Sequence, residues 1–264
     1  MSGAIAAGTA WITGGGSGIG RELALALAQQ GWRVAISGRR AAALAETAAL
    51  LGAAPGRIQA FAVDVTDAAG LETACAAIES AFGPLDMVVA NAASWQAFSA
   101  RRFDLAAAQQ QVAVNLGGLF STLAPVVPRF VARHRGRIVL VASVAGYFGL
   151  PKSGAYGATK AATIHLAESL RYELAPHGVV VQVVCPGFVE TPLTADNRFP
   201  MPGLMSAPAA AARIVDGLAS DRFEIAFPRR LVWPMKLLQL LPGALRRALL
   251  GRLLRRGGAE SAEA

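Results

Sequence analysis

The sequence predicts a single α/β domain, a doubly wound parallel sheet with helices on both faces. Three observations carry that expectation. Short β-rich runs alternate with alanine- and leucine-rich helical stretches along most of the 264 residues, the pattern of successive βαβ units with right-handed crossovers. Hydrophobic residues make up 54% of the chain and charged residues only 16%, as strands buried on both faces require. A glycine-rich turn joins the first strand to the first helix, the place where such sheets bind ligands.

Taken in order, residues 10–13 are an apolar run read as the first strand. Residues 14–20 form the glycine turn, and Leu23, Leu25, Leu27 and the alanines around them read as a buried helix. Further strands are expected at residues 33–37, 58–63, 87–90, 137–141, 179–184 and 223–227. Residues 105–128 are the longest uncharged stretch, but Gln109, Gln110, Gln111 and Asn115 favour a buried helix over a membrane span. The chain is long enough for one domain with a sizeable core. We divide it into a domain over residues 1–228 and a basic, leucine-rich extension over 229–264, whose last residues, GGAESAEA, read as a frayed end.

Two motifs carry chemistry. In TGGGSGIG, residues 13–20, glycines let backbone amides approach a pyrophosphate, and the following helix N-terminus adds partial positive charge. In SVAGYFGLPKSGAYGATK, Tyr156 and Lys160 are four residues apart and share one helix face. A phenol titrates near ~10, and an adjacent ammonium favours its phenolate; lowering that value by roughly three units takes about 4 kcal/mol. Ser143 can aim a hydroxyl at the same substrate oxygen. Together they read as an acid/base centre for a carbonyl or an alcohol.

These motifs, with Asn115 and Pro186-Gly187, resemble in order and spacing the pattern of the short-chain dehydrogenase/reductase family, over roughly residues 8 to 228. The resemblance implies a Rossmann-type sheet and reversible hydride transfer between a nicotinamide and a carbonyl or secondary alcohol. By that resemblance Tyr156 is the general acid or base, Lys160 lowers its pKa and holds the nicotinamide ribose, and Ser143 donates to the substrate oxygen. Asn115 would connect Lys160 to solvent through an ordered water. Gly14, Ser17, Gly18, Ile19 and Gly20 would cradle the dinucleotide, Asp64 and Val65 would contact the adenine, and Asn91 begins the family's Asn-Ala-Gly element with Ala93 in place of the usual glycine. After Pro186 and Gly187, Thr191 and the backbone near Val189 would hold the carboxamide. In this family the helix over residues 105–128 and the one carrying Tyr156 commonly form the subunit interface, so a homodimer or homotetramer is expected.

NAD-dependent relatives generally carry a carboxylate at the position of Gly38; here Gly38 is followed by Arg39 and Arg40. A guanidinium makes bidentate, charge-assisted bonds to phosphate, so NADP(H) is expected over NAD(H). The substrate pocket is expected to be apolar, lined by Trp95, Phe98, Tyr147, Phe148 and Leu150, and covered by a mobile lid over residues 192–206 that carries Phe199, Met201, Leu204 and Met205. Lys152 and Arg198 are the basic candidates for an acidic substrate group. A lipophilic ketone or alcohol follows as the expected substrate.

The net charge is +8, yet residues 227–258 alone hold eight Lys/Arg and no Asp/Glu, and the remainder has seventeen of each sign. Basicity confined to a tail argues against a nucleic-acid protein. Helical projection groups Leu245, Leu249, Leu250, Leu253 and Leu254, with Arg247, Arg252 and Arg255 opposite and Arg246 and Arg256 near the ends. This tail either covers the substrate site, docks on a neighbouring subunit, or makes peripheral contact with an anionic membrane through residues 229–256. It is too interrupted to span a bilayer. No basic n-region and apolar h-region open the sequence, and Cys75 and Cys185 are too few for a disulfide framework, so a reducing cytoplasm is expected, with peripheral placement at the inner face of a membrane as the variant. His134, His165 and His177 lack metal-ligand spacing. The alternative to an enzyme is a non-catalytic dinucleotide-binding regulatory or membrane-surface interaction protein.

Overall fold

The computed structural model describes residues 6–197 and 199–259, with side chains described up to Arg252. Arg198, the side chains of the tail beyond Arg252 and residues 260–264 lie outside the described residues, while residues 257–259, expected to belong to a frayed end, are helical. The elements run β1 (Thr9–Thr13), α1 (Gly18–Gln29), β2 (Arg33–Gly38), α2 (Ala41–Ala49), β3 (Arg57–Ala62), α3 (Ala68–Phe82) and β4 (Met87–Ala90). Then come α4 (Leu105–Val112), α5 (Gly118–Arg133), β5 (Gly136–Val141), α6 (Gly154–Leu174) and β6 (Val179–Pro186). The chain finishes with β7 (Val189–Glu190), β8 (Met205–Ser206), α7 (Ala207–Leu218), β9 (Glu224–Phe227), α8 (Arg229–Leu240) and α9 (Gly243–Ala259).

Seven strands form one parallel sheet in the order β3-β2-β1-β4-β5-β6-β9. Each expected strand is present, with ends within about two residues of the pattern-based bounds. Alternation sends neighbouring side chains to opposite faces. Ile12, Ile36 and Val89 join Leu23 and Leu27 of α1 and Ile214 of α7 in one core. Trp11, Val88 and Ile138 join Ile78 of α3 and Phe130 of α5 in the other. With both faces covered, the middle strands read as unbroken apolar runs, and that is why they were legible.

Two features were not legible. The uncharged stretch is not one α-helix, because a single wide π-turn, Ala113–Gly117, separates α4 from α5 and carries Asn115. Leu105–Arg133 is a helical run long and apolar enough to cross a bilayer, but half of its most apolar window is buried in the domain. The second feature is the β7–β8 pair, Val189 beside Met205 and Glu190 beside Ser206. It ties down both ends of the segment expected to be a mobile lid.

Candidate active site

β1 and β4 are neighbours although β2 and β3 lie on the other side of β1, so the strand order reverses between them and a crevice opens at their carboxyl ends. A cavity of about 340 Å³ occupies it. Of the residues expected to hold a dinucleotide, Gly14, Ser17, Gly18, Ile19, Arg39, Asp64, Val65, Asn91 and Thr191 line its wall. Gly20 sits behind that wall. A Cβ there would stand 2.4 Å from the Gly14 carbonyl and 2.5 Å from Asn91 Nδ2, so only glycine lets α1 start this close to β1 and β4. Pro186, Gly187 and Val189 do not line the cavity. The Gly187 amide donates to Phe227 O at 2.7 Å, and the Val189 carbonyl accepts from Thr194.

The crevice fits a dinucleotide on its own evidence. α3, α4 and α7 begin with capping side chains, Asp67, Asp104 and Ser206. Ser17, at the start of α1, makes no such bond, as Ser153 at α6 makes none, but the start of α1 lies on the cavity wall, where its first amides can meet a ligand. Arg39 and Arg40 stand at the far end, both exposed, with Arg39 Nε 3.7 Å from Asp64 Oδ2. Thr13 was missed by sequence reasoning. Its Oγ1 accepts from the amides of Asn91 and Ala92, both at 3.1 Å, and so sets the spacing of the crevice walls. A hydroxyl ending the first strand was the available signal.

The expected acid/base group comes together beside the crevice. Ser143 caps a short 3₁₀ turn, Val144–Gly146, accepting from Ala145 N at 3.1 Å and donating to Pro186 O at a long 3.4 Å. Gly146 lets that turn lie directly on α6, because a Cβ there would meet Lys160 backbone carbon at 2.7 Å. Lys160 is buried, its Nζ 5.5 Å from the Tyr156 ring centroid and donating to Val141 O at 2.8 Å. Asn115 makes no direct hydrogen bond to Lys160. Its Nδ2 donates to Ser94 O at 3.0 Å and Thr159 Oγ1 at 3.1 Å, and its Oδ1 accepts from Ser94 N at 2.7 Å. Asn115, Lys160, Thr13 and Thr163 share a second cavity of about 10 Å³, the size of roughly one water, between the two residues expected to be linked by one.

The electrostatics differ from expectation. Burial pushes the Tyr156 phenol up to about 12, with the Ser143 hydroxyl pulling the other way. Burial also lowers Lys160, to about 8. The expected lowering of Tyr156 by Lys160 is absent, because the ammonium is spent on a carbonyl and desolvation penalises both charged forms.

On the substrate side, Trp95 stands edge-on to Tyr156 with centroids 5.0 Å apart, and its Nε1 donates to Asn197 Oδ1 at 3.0 Å, tying the covering segment to the pocket. Phe98 packs instead on Phe103. Tyr147 and Phe148 contact Val232 and Met235 of α8, so the beginning of the extension covers this side of the site. Tyr147 OH donates to Glu224 Oε1 at 2.5 Å, and Glu224 also pairs with Lys236. That three-residue link joins partners up to 89 positions apart in the chain, and no local pattern announced it. Lys152 is exposed.

The sequence profile described as short chain dehydrogenase matches residues 8–200. The chain belongs to the short-chain dehydrogenase/reductase family. It is 38% identical over 237 residues to an uncharacterized oxidoreductase of Myxococcus xanthus, covering 90% of this chain and 94% of that protein. The 3-oxoacyl-[acyl-carrier-protein] reductase FabG of Thermotoga maritima is 32% identical over 223 residues, 80% of this chain and 89% of that one. A short-chain type dehydrogenase/reductase from Mycobacterium marinum has the same fold, with a TM-score of 0.77 at 24% identity over 85% of this chain and 95% of that one. The short-chain dehydrogenase/reductase is accordingly an oxidoreductase of a family that uses NAD(P)(H) and acts on small molecules.

Proposed function

We propose that this enzyme reduces the carbonyl of an apolar ketone with NADP(H), Tyr156 donating the proton. The observation that carries the reading is the convergence of Ser143, Tyr156 and Lys160, from a 3₁₀ turn and from α6, beside a crevice whose far end holds Arg39 and Arg40 and no carboxylate at Gly38. Bound NADPH would supply the hydride. Glycine-loop amides and the α1 N-terminus would hold its pyrophosphate, and Arg39 would meet its 2′-phosphate, exchanging a loose pair with Asp64 for a charge-assisted bond.

Tyr156, protonated up to about 12, begins a reduction in the donor form. As negative charge develops on the substrate oxygen, Ser143 gives up its long bond to Pro186 O and donates to that oxygen. Tyr156 then passes its proton to the same oxygen. Lys160 would be the group that restores it, drawing on the one-water cavity it shares with Asn115. Trp95 and Phe148 support an apolar substrate, as does the name of the FabG relative. Exposed Phe103, Leu105, Val112 and Phe120 around α4 and α5, with Tyr172 of α6, support a homodimer or homotetramer through those helices.

The test is NADPH consumption against ketones graded in size and polarity. Tyr156→Phe is expected to lower turnover by about 10³-fold or more while NADPH binding stays within about threefold. Turnover retained in that variant overturns the assignment.

A further inference from the structure

α8 has two unlike faces. Its inner face belongs to the active site: Val232 and Met235 are buried against Val144, the neighbour of Ser143. Lys236 pairs with Glu224, Glu224 holds Tyr147 OH, and Gln239 Nε2 donates to Tyr147 O at 3.0 Å. These bonds set the helix's rotation, so its outer face stays outside. That face carries Trp233, 63% exposed, Leu237, 61%, and Leu240, 82%. Spacings of four and three residues place them on one ridge, and exposed Leu245 follows at the start of α9.

Charge frames the ridge. Arg229 and Arg230, one turn before Trp233 on α8, are exposed, as are Arg247 and Arg252 in α9, and no acidic residue occurs from 227 to 258. A second copy of this chain is a poor occupant, because a two-fold contact sets a patch against itself and would oppose arginines with no carboxylate between them. An aromatic and leucine ridge flanked by arginines complements an apolar layer beneath negative headgroups. α8 is 12 residues long with Pro234 and Lys236 within it, so it would lie flat in the interface rather than cross.

We propose that the outer face of α8, with the start of α9, docks on an anionic phospholipid membrane. Because the inner face of the same helix covers the substrate side of the site, docking sets the pocket mouth against the lipid. An apolar carbonyl compound dissolved there would enter without crossing water, a consequence that rests on the proposed reaction; the docking itself does not.

The test is sedimentation of the full chain with vesicles of phosphatidylglycerol and phosphatidylcholine, against phosphatidylcholine alone. We expect pelleting with the anionic vesicles at low salt, weakened by high salt, and little with the neutral ones. Two variants, Trp233→Ser/Leu237→Ser/Leu240→Ser and Arg229→Glu/Arg230→Glu, should each bind at least about tenfold more weakly. All five side chains are exposed, so NADPH oxidation with a water-soluble ketone and no vesicles should stay within about twofold of the parent. Failure of the parent to pellet at low salt overturns the proposal, as does undiminished binding in both variants. A smaller assembly for the triple variant in sedimentation velocity would assign the face to a second copy and overturn it too. Vesicle binding by a chain that turns over no ketone would leave the docking standing and remove the proposed reaction instead.

Discussion

The two halves of the proposed active site are built by different means. The dinucleotide crevice is made chiefly of backbone: glycines at the end of β1, an uncapped helix start, and Thr13 Oγ1 holding the amides of Asn91 and Ala92. The substrate side is made of side chains from distant segments: Trp95 on Tyr156, Asn197 on Trp95, and α8 locked to Tyr147 through Glu224. Backbone approach tolerates almost no added atom. Side-chain packing can be exchanged residue for residue, which is how one fold comes to serve many substrates.

That contrast is broken or sharpened by substitution. The largest effect is expected at Gly20→Val, whose new atoms meet the Gly14 carbonyl at 2.4 Å with nowhere to move. Thermal unfolding should show a loss of about 3 kcal/mol, and a fluorescence titration should show no NADPH binding. Next comes Gly146→Val, at the junction of the halves. Its Cβ would push the turn carrying Ser143 off the Lys160 backbone, so kcat should fall about 10²-fold. Cofactor affinity should stay within about threefold; equal losses in both would show that the halves are not separable.

A smaller effect is expected at Gly38→Asp. The nearest atom to its new Cβ is Leu44 Cδ2 at 3.7 Å, so the residue fits and only its charge matters. The ratio of NADPH to NADH affinity should fall about tenfold, or 1.4 kcal/mol, by isothermal titration. An unchanged ratio would remove the phosphate reading of this end of the crevice.

The smallest effect is a slope. Burial lowers Lys160 to about 8 in the fold, against an ordinary 10.5. Between those values the unfolded chain holds a proton that the folded chain has released, so stability rises with pH across the window and is lowest below it. One such group gives at most about 1.4 kcal/mol per pH unit. Above pH 9 the buried thiols of Cys75 and Cys185, both raised from an ordinary 9.0, act in the opposite sense, so denaturant unfolding from pH 8 to 9 should show a more positive slope in the parent than in Lys160→Met. An equal slope in Lys160→Met would place the titration elsewhere.

By itself the sequence determined the seven main strands, the glycine crevice and the membership of Ser143, Tyr156 and Lys160 in one site. Strand burial on both faces and the need for glycine near backbone are local demands, written in residue type and spacing. The tertiary structure decided what depends on distance and desolvation. It put Asn115 on a π-turn, lining a one-water cavity together with Lys160. It raised Tyr156 where the sequence predicted a lowered phenol, because burial is the largest influence on it and the lysine's partner is the Val141 carbonyl. It also laid α8 over the proposed substrate side with Trp233, Leu237 and Leu240 left bare. Which face of an amphipathic segment meets the protein is set by the surface it packs on, and no periodicity within the segment contains that surface.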